Sequence, residues 1–448
     1  MTLSVSCQNN EIHVKFLGME KTVFIYTFGC QMNVHDSEKM LGVLQKKGYS
    51  QTDNIDQADL IIFNTCSIRQ KAEQKFYSEL GRIKPYKKKR PEIRIAVAGC
   101  IAQHEGKNIF KRAPYIDFIL GPQNIHMLED IIAGRAAHVA IEDNPEIAIK
   151  DLPVKREDCI KAWVTIMYGC NNFCSYCIVP FTRGRERSRP SENIYSEVKE
   201  LAGKGYREIT LLGQNVNSYN SDIDFPGLLR KLNRVGGIER IRFVTSHPRD
   251  LSDGLIHAVS GLSKVCEHIH LPMQSGSNNI LRLMKRGYTY DDYTHKISSL
   301  REKVPGISIT SDIITGFPGE TEDDHLLTIK ALKEIEFDGI FAFKFSPRPG
   351  TKAAGMKGHL RDDVKSKRLS EILEVQDDIT TKKNKSLEGT TQEILVEGES
   401  ETDKEKLTGR TRTNKIVNIP KIDIVKGKLI NVEIIRGRQH SLEGRSLK

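Results

Sequence analysis

The chain has 448 residues, 28% of them charged and 38% hydrophobic, and its 68 Lys and Arg against 58 Asp and Glu leave a net charge of +10. At about 150 residues per domain this length predicts three domains and a substantial core, which excludes a disordered tail or a small disulfide scaffold. No apolar run approaches the roughly 18 residues of a membrane span. The basic balance fits a polyanionic partner, nucleic acid first, although a moderately basic surface is also common in proteins that bind none.

The opening MTLSVSCQNNEIHVKF lacks the basic start and apolar core of a secretory signal, so a cytoplasmic location is expected. In that reducing compartment the nine cysteines read as metal ligands or redox groups. Residues 1–21 show no periodicity and form an extension. The β-branched and aromatic run Val23–Phe28 predicts a strand ending at Gly29-Cys30, followed by a helix over Asp36–Lys47. Leu60–Asn64 repeats the pattern, ending at Thr65-Cys66 before a helix over Arg69–Ile83, and Ile93–Ala98 does so a third time, ending at Gly99-Cys100. Apolar strands alternating with helices imply a parallel sheet, in which ligands collect beyond the carboxyl ends of the strands. All three cysteines stand at that end.

Between Ala133 and Asp158 the pattern loosens around Asn144-Pro145 and Leu152-Pro153, marking a linker. Strands are then predicted at Trp163–Ile166, Glu208–Leu212, Arg240–Val244, His268–Leu271, Ser308–Ile314 and Ile340–Phe345 with helices between, an incomplete (βα)6 barrel. A charged helix over Asp362–Lys385 leads to short strands at Gln392–Glu397, Lys415–Ile419 and Leu429–Ile435, a small all-β module. Such modules often bind nucleic acid, and from composition alone a structural cap is an equal reading. The expected organisation is thus α/β: an N-terminal parallel-sheet domain over 22–140, a partial barrel over 156–385 and a small all-β barrel over 387–448.

The most specific motif is Cys170-Asn171-Asn172-Phe173-Cys174-Ser175-Tyr176-Cys177, three thiols in a C-x3-C-x2-C loop after a strand. A [4Fe-4S] cluster normally takes four cysteines, so three leave one iron open to an exogenous ligand. Structural zinc usually wants four protein ligands, and no second C-x2-C half lies nearby. This loop, with its aromatic residue before the last cysteine and a βα barrel around it, resembles the radical S-adenosylmethionine superfamily. The resemblance implies that the open iron chelates S-adenosylmethionine, that Tyr176 lies near the adenine, and that a 5′-deoxyadenosyl radical is formed.

One cysteine at a strand end is most often a packed core thiol, but Cys30, Cys66 and Cys100 at equivalent places make a second three-thiol site the better reading. Gly29-Cys30-Gln31-Met32-Asn33, Asn64-Thr65-Cys66 and Ala98-Gly99-Cys100 resemble the N-terminal domain of the methylthiotransferases. That resemblance implies an auxiliary [4Fe-4S] cluster that handles the sulfur to be inserted. Cys7, Cys159 and Cys266 match no motif.

Leu212–Tyr219, Cys177–Gly184 with Ser188-Arg189-Pro190, and Thr245-Ser246-His247-Pro248 are similar to the bacterial branch of that family acting on tRNA. The resemblance implies 2-methylthiolation of an isopentenylated adenosine beside the anticodon, with an electron-donor protein and a sulfur source as partners, no membrane, and a monomer. The alternatives are the branches acting on threonylcarbamoyladenosine in tRNA or on a ribosomal-protein aspartate, and a non-catalytic iron-sulfur RNA-binding protein, which would not turn over S-adenosylmethionine. No acid-base dyad is needed. Gly213, Gln214, Ser275 and Gly316 are candidate cofactor contacts, and the same glycines also suit tight βα turns.

Arg183, Arg185, Arg187 and Arg189 alternate in an extended segment, which puts them on one side, either to hold phosphates or as a solvated basic loop. In the C-terminal module Lys404, Lys406, Arg410, Arg412, Lys415, Arg436 and Arg438 accompany a resemblance to the TRAM domain, which implies tRNA binding.

Overall fold

The computed structural model describes residues 21–68 and 70–447. The described residues divide into two compact units, one within residues 21–159 together with 181–183, the other residues 160–180 with 184–447. Most of the expected N-terminal extension, with Cys7, lies outside the described residues; Lys21 already opens the first strand.

In the first unit, strands β1 (Lys21–Thr27), β2 (Tyr49–Gln51), β3 (Leu60–Thr65), β4 (Arg94–Gly99), β5 (Phe118–Leu120) and β6 (Val139–Ala140) form one parallel sheet in the order β2-β1-β3-β4-β5-β6. Central β3 is buried along its whole length because both faces are covered. Leu60 and Ile62 pack with Met40 and Leu44 of α1 (Gln31–Gln45), while Ile61 and Phe63 pack with Phe76, Leu80 and Ile83 of α2 (Gln70–Lys89). Helix α1 begins directly after Cys30 rather than at Asp36, and α2 runs past Ile83 to Lys89. Strands of two or three residues, β2, β5 and β6, carry too short a pattern to be seen along the chain, and β6 falls inside the stretch expected to be linker.

In the second unit, β7 (Lys161–Thr165) leads through β8 (Met167–Tyr168) and β9 (Arg187–Ser188), an antiparallel pair, to β10 (Glu208–Leu212), β11 (Arg240–Phe243), β12 (His268–His270), β13 (Ser308–Thr315) and β14 (Gly339–Lys344). Six of these are parallel barrel strands, arranged as β11-β10-β7 and β12-β13-β14. A single bridge from Ile241 to Val265 marks where the two halves adjoin. Their helices close one continuous core that includes Val164, Ile209, Phe243, Ile269, Ile313 and Leu332.

The helix Asp362–Lys385 then delivers the chain to a closed five-stranded barrel of β15 (Thr391–Glu399), β16 (Lys406–Thr411), β17 (Ile416–Pro420), β18 (Leu429–Gly437) and β19 (Leu442–Ser446), in the order β15-β16-β17-β19-β18. Strands β16 and β19, KLTGRT and LEGRS, carry no strand pattern in sequence, because each offers one large apolar side chain to the barrel core, Leu407 and Leu442. Gly437 meets the end of the long helix so closely that an added Cβ would stand 2.3 Å from the Asn384 carbonyl.

Candidate active site

The three-thiol loop of the second unit is held open by backbone that only its own residues permit. Gly169 has φ +71°, and a Cβ there would stand 2.0 Å from the Arg185 carbonyl oxygen. Cys170 N–H donates to the Gly184 carbonyl at 3.2 Å, and Cys177 N–H to that of Cys174 at 3.0 Å. Ser175 anchors the middle of the loop, its N–H donating to Met284 and its hydroxyl to the Leu283 carbonyl at 2.8 Å. Burial pushes the Cys170 thiol up and the Cys177 thiol to about 12, each helped by the neighbouring Cys174 charge. Three thiols so close cannot ionise together without a positive charge, which coordinated iron supplies. Among the described residues no three His, Cys, Asp or Glu side chains converge as ligands of a single metal ion. Thiols that each bind a different iron of a cluster need not converge.

Sequence reasoning missed Arg286, which is buried. Its guanidinium donates to Cys174 Sγ at 3.3 Å, Tyr176 Oη at 3.3 Å, Tyr288 Oη at 3.0 Å and the Pro272 carbonyl at 3.0 Å. Burial works against its charge, but Tyr176, Tyr288 and Cys174 more than offset this and hold it cationic. The same fixed cation therefore touches both Cys174 and Tyr176. The Lys285-Arg286-Gly287 turn was visible as a sequence, but nothing in it tells which of the two cations points inward.

At the carboxyl ends of β10, β11 and β12 five buried polar atoms have no hydrogen-bond partner among the described residues: Gln214 Nε2, Asn215 Oδ1, Ser246 Oγ, His247 Nε2 and Gln274 Oε1. Buried polar atoms are rarely left unpaired without a reason. Burial drives His247 down to about 2, so the ring is neutral; its Nδ1 accepts from Arg249 N–H, leaving the proton on Nε2. Three donors and two acceptors above one strand layer fit a ligand with both amino-acid and ribose groups, as S-adenosylmethionine has. Gln214 also ties this layer to the thiol loop, its Oε1 accepting from Gly169 N–H at 2.5 Å.

The other candidate contacts have structural explanations. A Cβ on Gly213 would stand 2.4 Å from Met167 Cγ, and one on Gly316, with φ +73°, 2.2 Å from Lys365 Cγ. Buried Ser275 shapes its loop, accepting from Ser277 N–H at 3.1 Å and meeting Thr328 Oγ1 at 3.3 Å.

In the first unit Cys30, Cys66 and Cys100 follow the adjacent strands β1, β3 and β4 at one end of the sheet. Cys30 caps α1, and Cys100 opens the short helix Cys100–Glu105. A Cβ on Gly29, φ +113°, would stand 2.7 Å from Cys66 Sγ, so glycine is what admits that side chain beside Cys30. The three strand ends are laced together. Asn33 Nδ2 donates to the Thr65 carbonyl at 2.8 Å, Asn64 Nδ2 to the Asn33 carbonyl at 2.7 Å, and Thr65 Oγ1 to the Ala98 carbonyl at 2.6 Å.

Arg183, in the segment that belongs to this unit, pairs with buried Asp36 at 2.8 Å and donates to Asn33 Oδ1 at 3.1 Å. Burial pushes the Cys100 thiol up, and the Arg183 charge opposes it. The four alternating arginines are accordingly not one row. Arg183 and Arg189 are buried, Arg189 with Glu197 at 2.8 Å, while Arg185 covers the Phe173 ring at 4.3 Å.

Residues 22–121 match the Uncharacterized protein family UPF0004, residues 164–332 the Radical SAM superfamily and residues 385–447 the TRAM domain. The chain is 57% identical over 426 residues to a tRNA-2-methylthio-N(6)-dimethylallyladenosine synthase of Thermodesulfovibrio yellowstonii, covering 95% of this chain and 98% of that one. It is 46% identical to the protein of the same name from Clostridium botulinum, over 98% and 100% of the two chains. Among solved structures it is similar in fold to the radical S-adenosylmethionine methyltransferase TsrM of Kitasatospora setae, with TM-score 0.56, 14% identity and 75% of each chain covered. It is also similar to the cobalamin-dependent radical enzyme OxsB, with TM-score 0.54, 12% identity, and 80% of this chain and 56% of that one covered.

Proposed function

This chain belongs to the tRNA-2-methylthio-N(6)-dimethylallyladenosine synthase family, and from that premise we propose how its residues carry out the methylthiolation of isopentenylated adenosine in tRNA. It is a radical S-adenosylmethionine enzyme with a TRAM domain. The observation that carries the reading is the Cys170–Cys177 loop, within the radical SAM region and tied through Gly169 to Gln214, one of the residues with an unpaired buried polar atom.

Cys170, Cys174 and Cys177 would hold the [4Fe-4S] cluster, and Cys30, Cys66 and Cys100 a second one. The chemistry supplied at these sites is reductive cleavage of S-adenosylmethionine, hydrogen abstraction from carbon 2 of the base, and delivery of a methylated sulfur. Arg286 fixes the Cys174 thiolate and orients Tyr176 toward the adenine of the cofactor. Gln214, through Gly169, sets the height of the thiol loop above the strands, and its Nε2 together with Ser246 and His247 donates to the polar groups of the cofactor. Asn215 and Gln274 accept from its ammonium or ribose hydroxyls. The Asn33, Asn64 and Thr65 lacing keeps the three auxiliary thiols at fixed separation, with Arg183 offsetting their negative charge.

Each cleavage consumes one electron and each product one sulfur atom, so the reading includes an external electron donor and a sulfur source. It also includes a monomer working in the cytoplasm, where thiols stay reduced. No described helix is long and apolar enough to cross a membrane. Mass spectrometry of nucleosides from a strain lacking the gene tests the proposal. The 2-methylthio form should vanish while isopentenyladenosine accumulates, and an unchanged nucleoside profile would overturn it.

A further inference from the structure

Among the described residues strand β14 pairs only with β13, which makes it an edge of its half of the barrel. Its side chains alternate in an unexpected way. Ile340 and Ala342 pack on the helix-covered core, whereas Phe341 and Phe343 on the opposite face are 56% and 40% exposed. Two exposed phenylalanines at i, i+2 on an edge strand invite aggregation unless they serve a purpose. The register sets Phe341 beside Asp312 and Phe343 beside Ile314 on that inner face. One strand further, the His270 ring meets Phe341 edge-on at 5.9 Å, and its Nε2 lies 3.4 Å from Asp312 Oδ1. Ile314 joins the small apolar cluster of Met284, Phe317 and Phe345 against which Tyr176 also packs, so the face runs on to the thiol loop.

We propose that Phe341 and Phe343, with His270 and Asp312 beside them, form the platform that receives the alkylated adenine of the RNA and make its N6 substituent a specificity determinant. The inference rests on the methylthiolation reading and adds to it the residues that choose the base. Unstacked RNA bases are held by aromatic side chains, and each such contact is worth roughly 5- to 150-fold in affinity. One ring serves the purine face, and the second offers apolar surface to a prenyl chain. A substituent ending in a carboxylate, as on threonylcarbamoyladenosine, would meet the Asp312 charge and be repelled.

The test is binding of the full-length, cluster-loaded protein to synthetic anticodon stem-loops that differ only in carrying isopentenyladenosine, threonylcarbamoyladenosine or adenosine. The wild type should prefer the prenylated RNA. Phe341→Ala/Phe343→Ala should lose about ten-fold or more of that preference, aromatic replacements (F341Y/F343Y) should restore most of it, and Asp312→Asn should raise affinity for the carboxylate-bearing RNA alone. A wild type with no preference for the prenylated RNA would sink the substrate reading itself. A clear wild-type preference that survives in the double variant would overturn only the platform. Phe341→Ser, at the more exposed position, gives the same decision should the double variant fail to fold.

Discussion

Arg412 of the C-terminal barrel grips Glu267, the residue before β12, through two hydrogen bonds of 2.7 Å each, Nε to Oε2 and Nη2 to Oε1. The bond from Arg412 holds the Glu267 carboxyl below its ordinary range even though burial pushes the other way. Around it Arg240 donates to the Arg410 carbonyl at 2.6 Å and Arg242 to those of Thr411 and Arg412 at 2.8 Å, and Lys415 pairs with Asp338. Arg410 and Arg412, which sequence alone offers as tRNA contacts, are therefore engaged within the protein: Arg410 with Glu397 at 3.2 Å, and Arg412 against the partial barrel.

Arg412→Ala should accordingly cost stability before it costs tRNA. A charged, half-buried double hydrogen bond is worth about 1.5–3 kcal/mol. A thermal midpoint lower by several degrees, with a nearly unchanged salt slope for tRNA binding, is the expected outcome of melting and titration on the same variant.

The phosphate contacts should instead come from exposed cations that carry no ion pair among the described residues, such as Lys404 and Arg436. Replacing either by Ala should weaken binding of whole tRNA and flatten the slope of log K against log salt by about 0.7–0.9. Titrations at several salt concentrations check this, and an unchanged slope would remove these two residues from the contact surface.

Anaerobic reconstitution should load about eight iron atoms per chain, four for each three-thiol set. The joint change of Cys170, Cys174 and Cys177 to Ala should halve that number. Cys66→Ala should abolish methylthiolation while some cleavage of S-adenosylmethionine persists, as chromatography of 5′-deoxyadenosine would show.

Arg286→Gln removes both an N–H donor to Cys174 and the cation beside it. Less electron withdrawal from the thiolate makes reduction harder, so the midpoint potential of the radical cluster should fall at unchanged iron content. An EPR-monitored redox titration reads the shift directly.

Buried His268 adds a pH dependence whose sign follows from its environment. Burial, with the Arg242 charge next, drives it down to about 3, while an unfolded histidine titrates near 6.5. Between those values the unfolded chain binds more protons, so stability is lost as pH falls below about 6.5, by up to about 1.4 kcal/mol per pH unit. Buried Glu38, raised to about 7, has the opposite sign over about 4.5–7 in the other unit. The comparison that isolates His268 is therefore the wild type against His268→Gln, whose thermal midpoint should decline less steeply from pH 7 to pH 5.

Local pattern along the chain was enough to determine the C-x3-C-x2-C loop after a strand, the strands that precede Cys30, Cys66 and Cys100, and the six barrel strands. The loop is a motif of set spacing and each strand an apolar run of contiguous residues, so both can be read locally. Which cation turns inward at Lys285-Arg286, that Arg183 pairs with Asp36 and Arg412 with Glu267, and that Phe341 and Phe343 stay exposed beside Asp312 were decided only by tertiary structure. Those facts depend on strand register and on partners up to about 150 positions away in the chain, and an arginine or a phenylalanine reads the same in sequence whether its partner is a carboxylate, a thiolate or solvent.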